Sequence, residues 1–295
     1  MTKSMRSWLF APGDSEKKMG KAIAGEADIA LLDLEDSVTP ANKPSARQMV
    51  ADTLKQAEDT SRIWVRINPL DTVDAVRDLA AVIPQAPGGL FLPKAEGAHH
   101  VTQLHHHLTA LEAAHSLPLG STRIAAIITE TPAAMYSTRE YAGEYPGRER
   151  LVGLSWGAED LSSALGAREQ RGPDGEYAHV YELARSLCLL AAVNAGVMPI
   201  ETVQPEFRDL EALETRAARC KAAGFRGMLA IHPAQIAPIN TAFTASEEEI
   251  ANARAVVRAF ASNPGAGTIA IDGAMLDRPH LALAERLLAE AGVSA

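Results

Sequence analysis

Two carboxylates follow apolar runs of the sequence and are the strongest candidates for chemistry. Glu130 follows the run that ends at Ile128, and Asp160 follows the run that ends at Ser155. If the two runs are adjacent parallel strands, both side chains lie at one edge of the sheet and could bind one hard cation. One or two carboxylates, with the other positions left to water and substrate, are typical of Mg²⁺. Each acid also has a structural alternative, because each stands where a helix begins and a carboxylate stabilises a helix N-terminus.

Basic side chains also occur in or directly after apolar runs. Arg66 lies in the run WVRIN, where a guanidinium without a partner would be costly, so it must meet an acid. That acid is either a protein carboxylate, for which Glu35 and Asp36 are candidates, or the carboxylate of a substrate bound by the guanidinium fork. Lys94 ends another run and could bind an anion or neutralise these acids.

Other common catalytic patterns are absent from the sequence. There is no GxGxxG after the first strand, no GxSxG, no GxxxxGK[ST] and no zinc-ligand spacing. Five histidines crowd one predicted helix without an HExxH pattern, which favours a solvated helix: His99, His100, His105, His106 and His107. His232 is predicted to make a local structural hydrogen bond. Metal-assisted chemistry is the simplest remaining hypothesis.

The elements that position these residues are eight short apolar runs, each followed by helical sequence. The predicted strands are Ser7–Ala11, Ile29–Asp33, Ile63–Ile67, Gly89–Leu92, Arg123–Ile128, Leu151–Ser155, Met198–Thr202 and Gly227–Ile231. Apolar runs of this length are typical of strands buried on both faces. Eight strand–helix units favour a closed (β/α)8 TIM barrel of the α/β class over the alternative, a doubly wound open sheet.

The chain continues beyond the eighth unit. A helix is predicted over Ser246–Ser262 and another over Pro279–Ala291, and between them lie an apolar run, Thr268–Ile271, and a polar hinge, DGAMLDRP. We therefore predict a barrel over residues 1–245 and a C-terminal helical extension over residues 246–295.

Composition excludes several classes of protein. The 295 residues are 47% hydrophobic and carry a formal net charge of −9, which excludes a disordered chain and argues against a nucleic-acid partner. Cys188 and Cys220 have no CxxC spacing and are expected to be buried thiols. Because the apolar runs are too short for a membrane span or a signal peptide, the sequence predicts a cytoplasmic protein without a membrane partner.

The motifs of this sequence, taken together and in order, resemble those of a known protein family. They read RSWLFAPGDSEKKM, ADIALLDLEDSVTPANKPSAR, WVRIN, GLFLPKAE, ITETPAAM, GLSWGAEDLSSALG, GMLAIHPAQI and DGAMLDRPHL. This sequence resembles the citrate lyase β-subunit-like group of the HpcH/HpaI aldolase superfamily, which also contains malyl-CoA and citramalyl-CoA lyases. The matches extend from Arg6 to Leu281, nearly the whole chain.

The resemblance implies a set of roles. Glu130 and Asp160 would hold Mg²⁺, and Arg66 would bind the carboxylate of a 2-oxo acid. Asp277, with Asp272 as the alternative, would act as general acid/base in the site of a neighbouring subunit, in a homotrimer or a multiple of it. Trp156 replaces what is usually a smaller or different residue and could shape the pocket.

The predicted function is that of a Mg²⁺-dependent carbon–carbon lyase. It would cleave or form a 3-hydroxyacyl-CoA from an acyl-CoA thioester and a 2-oxo acid, with Arg66 and Asp277 as catalytic residues. Glu35, Asp36 and Lys94 would join Arg66 and Glu130 in binding the substrate. The alternatives are the β subunit of a multi-subunit citrate lyase, a CoA-independent 4-hydroxy-2-oxo acid aldolase and a thioesterase. The sequence does not rank the substrates, the direction of the reaction or the CoA-contacting residues.

Overall fold

Eight parallel strands close into a barrel. The structure, a computed structural model, describes residues 5–173, 175–271 and 273–294. The strands are β1 (Ser7–Pro12), β2 (Ile29–Asp33), β3 (Ile63–Arg66), β4 (Gly89–Leu92), β5 (Arg123–Ile127), β6 (Leu151–Ser155), β7 (Met198–Glu201) and β8 (Gly227–Ala230). Each strand pairs with its neighbours in sequence, and β1 also pairs with β8. This closure confirms the predicted TIM barrel and excludes the doubly wound sheet.

Helices follow the strands around the barrel. They are α1 (Glu16–Ala24), α2 (Lys43–Gln56), α3 (Val73–Val82), α4 (Ala98–Ala114), α5 (Pro132–Ser137), α6 (Ala158–Leu165), α7 (His179–Asn194), α8 (Leu210–Ala223) and α9 (Ile236–Phe243). None of the described helices is long and apolar enough to cross a bilayer. Both cysteines are buried free thiols, as predicted.

A cluster of large side chains fills the barrel core. The indole rings of Trp8 and Trp64 meet edge to face, with their centroids 4.9 Å apart, and Phe91 packs against Trp8. Gly89 leaves room for this packing, because a Cβ there would lie 2.6 Å from the Trp64 ring. The core therefore holds the strands rigidly, which fixes the position of every side chain at the strand ends.

The described residues form two compact units, residues 5–240 and residues 241–294. The second unit contains α10 (Glu247–Ala261), β9 (Thr268–Ile271), β10 (Ala274–Asp277) and α11 (Arg278–Glu290). Helices α10 and α11 pack through a small core of Ala253, Ala284 and Leu288. Ser246 caps α10 with a reciprocal hydrogen-bond pair to Glu249, in agreement with the predicted helix start.

The predicted polar hinge DGAMLDRP is wrong in one respect, because part of it is a strand. Residues Ala274–Asp277 pair antiparallel with Thr268–Ile271, and Gly273 takes a positive φ of 81° at the turn. Two short runs joined by Asp-Gly are a typical hairpin signal, because glycine accepts the left-handed backbone that a tight turn needs. The hinge interpretation overlooked that signal.

Candidate active site

Arg66 is the last residue of β3, and an acid of the neighbouring strand holds its guanidinium group. Its register partner on β2 is Asp33. The Nε and Nη2 groups of Arg66 donate hydrogen bonds to the two carboxylate oxygens of Asp33, each at 2.7 Å. Burial alone would raise the pKa of Asp33, but the charge and hydrogen bonds of Arg66 outweigh it and lower that pKa. The pair is therefore fully ionised at neutral pH.

Glu35, in the loop after β2, lies between Arg66 and Lys94. Its Oε1 accepts a hydrogen bond of 2.5 Å from Nζ of Lys94. Its Oε2 lies 3.0 Å from Nη1 of Arg66 but has no partner in hydrogen-bond geometry among the described residues. Burial raises the pKa of Glu35 to about 7, against the opposing effect of the charges of Arg66 and Lys94. Glu35 thus keeps one buried oxygen for a further donor or cation.

Glu130 follows β5 and is buried, with 3% of its surface exposed. Its Oε2 accepts a hydrogen bond of 2.5 Å from the backbone N–H of Lys94, a residue held in the left-handed region at φ 49°. The hydroxyl of Thr131, not Glu130, caps α5 by accepting from the N–H of Ala134. Burial, reinforced by the nearby charges of Glu35 and Asp160, raises the pKa of Glu130 well above its ordinary value.

Asp160 reaches the same place from the first turn of α6, a helix whose N-cap position is Gly157. Its Oδ1 lies 3.3 Å from Nζ of Lys94, and its side chain is 31% exposed. Asp36 lies further out, with Oδ2 3.6 Å from the same Nζ and with 57% of its side chain exposed. Lys94 therefore contacts every predicted acid of the site, either through its ammonium group or through its backbone.

Two supporting residues were missed by the sequence reasoning. Asp33 is predicted only as the last residue of a strand, yet it is the main partner of Arg66 in place of the expected Glu35 and Asp36. Lys43 bonds the carbonyl oxygens of Leu34 and Glu35, at 2.9 and 3.0 Å, and so holds the loop after β2. A lysine at the first position of a helix opposes the helix dipole, and that signal could have marked Lys43 as serving something outside its helix.

The donor set of this site fits a hard divalent cation. Five carboxylates surround three cationic side chains, which leaves an excess of two negative formal charges: Asp33, Glu35, Asp36, Glu130 and Asp160 against Lys43, Arg66 and Lys94. Burial and neighbouring carboxylates raise the pKa of Glu130, and Oε2 of Glu35 has no hydrogen-bond partner among the described residues, so a cation bound here would stabilise the ionised form of both acids. In the described part of the chain no three His, Cys, Asp or Glu side chains form a ready metal cage. A site of two carboxylates completed by water and substrate suits Mg²⁺ in particular.

Trp156 makes no hydrogen bond to the acids of this site among the described residues, and the expectation that its side chain shapes the pocket stays a prediction. Its ring is fully buried and donates a hydrogen bond of 2.8 Å from Nε1 to Oε1 of Glu201. The ring of Tyr177 packs edge-on against it at 5.2 Å. The indole therefore points into the layer between the barrel and its helices.

Asp277 belongs to the second unit. It is the N-cap residue of α11, and its Oδ1 lies 2.6 Å from Nδ1 of His280, with both side chains about half exposed. Asp272, the alternative to Asp277, lies outside the described residues. The structure thus gives Asp277 an imidazole partner that the sequence analysis did not predict.

The histidines have local roles. Nδ1 of His232 accepts a hydrogen bond of 3.2 Å from the backbone N–H of Ala234, which confirms the predicted local bond. His100 accepts from the backbone N–H of Glu96, and burial lowers its pKa. Along α4 the side chains of His99 and His106 are exposed and those of His100, His105 and His107 are half-buried, in agreement with the predicted solvated helix.

A cavity of about 710 Å³ lies away from the strand ends that carry Glu130 and Asp160, beside α7 and α8. Its arginines include Arg185, Arg216 and Arg219, and each already pairs with a protein carboxylate. None of the predicted site residues lines this cavity.

Comparison with known proteins identifies the family. The sequence pattern of the HpcH/HpaI aldolase/citrate lyase family matches residues 6–233. A citrate lyase subunit beta-like protein of Mycobacterium tuberculosis is 38% identical over 285 residues, covering 97% of this chain and 95% of that protein. The chain belongs to the HpcH/HpaI aldolase/citrate lyase family. The predicted resemblance and the prediction of a lyase-family enzyme are confirmed.

Two further members of the family describe its chemistry. A (3S)-malyl-CoA thioesterase of Cereibacter sphaeroides is 32% identical over 293 residues, covering 97% of this chain and 94% of the relative. The crystal structure of CitE from M. tuberculosis in complex with magnesium, acetoacetate and coenzyme A superposes with a TM-score of 0.80 at 35% identity. The alignment covers 99% of this chain and all of that one. One relative is thus named for action on a CoA thioester, and the other binds magnesium, acetoacetate and coenzyme A.

Proposed function

We propose that the chain is a Mg²⁺-dependent carbon–carbon lyase that interconverts a 3-hydroxyacyl-CoA with an acyl-CoA and a 2-oxo acid. The observation that carries the proposal is the excess of carboxylate charge around Glu130 and Asp160. Magnesium and coenzyme A are bound together in the CitE relative, which supports both as partners of this chain. A bound Mg²⁺ would supply a Lewis acid for the oxygen atoms of the oxo-acid part.

Glu130 and Asp160 would hold the cation, and Glu35 would hold a water molecule bound to it. Glu130 lies at the buried end of the cluster, whereas Asp160 is partly exposed. With its carboxylate on the cation, Asp160 would no longer need Lys94 as its counter-ion. The ammonium group of Lys94 would then be able to bind an anionic group of the substrate, and Asp36 would line the outer rim.

Arg66 would bind the carboxylate of the 2-oxo acid through the edge that Asp33 leaves open. Asp33 occupies the Nε side of the guanidinium, so the outer N–H groups of Nη1 and Nη2 remain for a second fork. Nη1 lies 3.0 Å from Oε2 of Glu35, which shows that this edge faces the acidic cluster. Asp33 would thus orient the fork for the substrate.

Asp277 is the proposed acid/base. In cleavage the carboxylate of Asp277 would take the proton of the hydroxyl group, and the carbon–carbon bond would break. The bonding electrons pass to the α-carbon of the thioester, and Asp277 returns a proton to that carbon. Asp277 would reach the site of a neighbouring subunit in a cytoplasmic homotrimer or a multiple of it, with α10 and α11 as the packing helices. This part rests on the family resemblance, and His280 would hold the Asp277 carboxylate in place.

The second candidate function is that of a citrate lyase β subunit, which would act on a carrier-protein thioester with partner chains. The similarity to the citrate lyase subunit beta-like relative supports it. The thioesterase relative supports a third outcome, hydrolysis of the thioester at the same site.

A panel of thioesters tests the proposal. Malyl-, citramalyl-, methylmalyl- and citryl-thioesters of CoA and of an acyl-carrier protein are incubated with the protein and Mg²⁺, and 2-oxo acid and free thiol are measured together. A lyase releases the 2-oxo acid without free thiol, whereas a thioesterase releases free thiol without the 2-oxo acid. Turnover restricted to the carrier-protein thioesters would identify a citrate lyase β subunit. Absence of 2-oxo acid from every thioester, or full release in EDTA, would contradict the Mg²⁺-dependent lyase.

A further inference from the structure

Glu201 is a buried carboxylate that the proposed reaction does not use. It is the last residue of β7, and none of its surface is exposed. Its Oε1 accepts hydrogen bonds from Nε1 of Trp156 at 2.8 Å and from Nη2 of Arg216 at 3.1 Å. Its Oε2 accepts from Nε of Arg185 at 2.7 Å. Helices α7 and α8 are therefore joined to β7, and through Trp156 to β6, by one carboxylate.

Trp156 links Glu201 to the acids of the site through the backbone that follows β6. It directly follows β6 and precedes Gly157, the N-cap residue of the helix that carries Asp160. Gly157 lies against Glu130, since a Cβ at position 157 would lie 3.0 Å from Cγ and 3.3 Å from Oε1 of Glu130. The segment between Trp156 and Asp160 thus sets the spacing of the two acids that would hold Mg²⁺.

We infer that Glu201 and Trp156 are positioning residues for the divalent-cation site, an inference that rests on the proposed function of Glu130 and Asp160. The hydrogen bond between them fixes the backbone where β6 ends. The fixed backbone holds Gly157 in contact with Glu130. It also orients the first turn of α6, so that Asp160 faces the cation site. Groups that orient metal ligands from outside the coordination shell typically change metal affinity by about 10- to 100-fold when they are removed.

The polarity of the pair supports a positioning role over a purely stabilising one. A buried carboxylate with two guanidinium partners contributes little net stability compared with apolar side chains of the same volume, because desolvation offsets the attraction. Such a network instead defines one geometry. A phenylalanine at position 156 would keep a buried aromatic ring, but it would not be tied to Glu201.

The test compares two tryptophan replacements. Trp156→Phe removes the hydrogen bond to Glu201, whereas Trp64→Phe is the matched control. Trp64 is equally buried, and its Nε1 has no hydrogen-bond partner within the described residues. By isothermal titration calorimetry we expect Mg²⁺ to bind Trp156→Phe about 10-fold more weakly, and Trp64→Phe with the affinity of the wild type. Equal affinities of the two variants would overturn the inference, while Mg²⁺ binding to the wild type would keep the proposed metal site intact.

Glu201→Gln provides the second arm. It keeps the shape of the side chain, and in the Trp156→Phe background it should cause no further loss of Mg²⁺ affinity, because Glu201 acts on the site through Trp156. Additive losses would contradict a shared mechanism. If the wild type itself binds no Mg²⁺, the proposed metal site fails and the inference fails with it.

A spectroscopic readout leaves Trp156 and Glu201 unchanged, so it does not depend on the folding of Trp156→Phe or Glu201→Gln. The chain has three tryptophans, so the Trp8→Phe/Trp64→Phe protein carries Trp156 alone. We expect Mg²⁺ to shift the fluorescence of this single tryptophan with the midpoint of the calorimetric titration. Fluorescence that does not change over the saturating range would show that Trp156 is not coupled to the cation, and would overturn the inference.

Discussion

Two groups of charged side chains are buried in the barrel unit, and their carboxylates are bound in opposite ways. Glu112 of α4 accepts two hydrogen bonds from Arg150, at 2.7 and 2.8 Å, and two more from the backbone N–H groups of Gly120 and Thr122. Burial disfavours its charge, but these bonds outweigh burial and lower the pKa of Glu112 to about 2. Glu130 accepts a backbone hydrogen bond from Lys94 and faces other carboxylates, and its pKa is raised.

The contrast between Glu112 and Glu130 distinguishes a structural ion pair from a candidate active site. At Glu112 the protein supplies every donor that the carboxylate needs, so the charge is stable without a ligand. Around Glu130 the carboxylates outnumber the cationic side chains. Ionisation of all of these carboxylates therefore requires a cation from outside the protein. The following predictions test this contrast.

The largest effect is expected for Glu130→Gln. The substitution keeps the shape of the side chain and removes the charge that would bind the cation. Mg²⁺ binding should be lost and turnover should fall by about 1,000-fold or more, since a Lewis acid contributes several kcal/mol to the barrier. Calorimetry and the 2-oxo acid assay measure the two quantities. Because the removed charge is disfavoured by burial, the unfolding temperature in EDTA should not fall; Mg²⁺ affinity equal to that of the wild type would remove Glu130 from the site.

Glu112→Gln should have the complementary effect. Loss of the carboxylate leaves the buried guanidinium of Arg150 without its counter-ion, which costs about 3–5 kcal/mol of the free energy of unfolding. Mg²⁺ affinity should not change, because Glu112 does not contact the site. Urea unfolding and calorimetry on the same sample check both statements. If the variant is as stable as the wild type, or if it is folded but does not bind Mg²⁺, the structural role assigned to Glu112 is contradicted.

Arg66→Lys should weaken the binding of the 2-oxo acid. A lysine keeps the charge but cannot bind Asp33 and a substrate carboxylate with two forks. Loss of a charged hydrogen bond corresponds to about a 10- to 100-fold rise in KM. The KM for the 2-oxo acid in the synthetic direction measures it, with Arg77→Lys on the exposed face of α3 as the control. An unchanged KM would assign Arg66 to the ion pair with Asp33 alone.

The pH dependence of stability should have opposite signs for the two groups. The lowered pKa of Glu112 means that its contribution is present above about pH 4.5 and is lost as the pH falls towards 2. The raised pKa of Glu35 means that its carboxyl is more stable when protonated, so in EDTA stability is lost as the pH rises from about 4.5 through about 7. Urea unfolding of the wild type, Glu112→Gln and Glu35→Gln from pH 3 to pH 8 separates the two effects. Parallel curves for all three proteins would contradict both assignments.

The barrel could be predicted from the sequence because its strands are buried on both faces. All eight predicted strands begin at the observed residue and end within one residue of the observed end. The proximity of Glu130, Asp160, Arg66 and Lys94 could be predicted for the same reason, since a closed parallel barrel brings the carboxyl ends of its strands to one rim.

The contacts within the site could not be predicted. The sequence LLDLEDS offers three acids to Arg66, and the register of β2 against β3 decides that Asp33 is the main partner. The direction of the Trp156 ring depends on Glu201, 45 residues further along the chain. The contact of the Lys94 backbone with Glu130 depends on a left-handed residue that no local pattern indicates. These contacts join residues that are far apart in the sequence, so local sequence patterns do not predict them.

The most direct test of the central claim is the location of a divalent cation in the crystal. Mn²⁺ has the oxygen-ligand preference and octahedral geometry of Mg²⁺, and its anomalous scattering identifies it without ambiguity. Crystals grown with Mn²⁺ and a 2-oxo acid should show one anomalous peak bound by the carboxylates of Glu130 and Asp160, with the oxo acid between the cation and Arg66. An anomalous map with no peak at Glu130, and with that carboxylate still bound to Lys94 alone, would contradict the account.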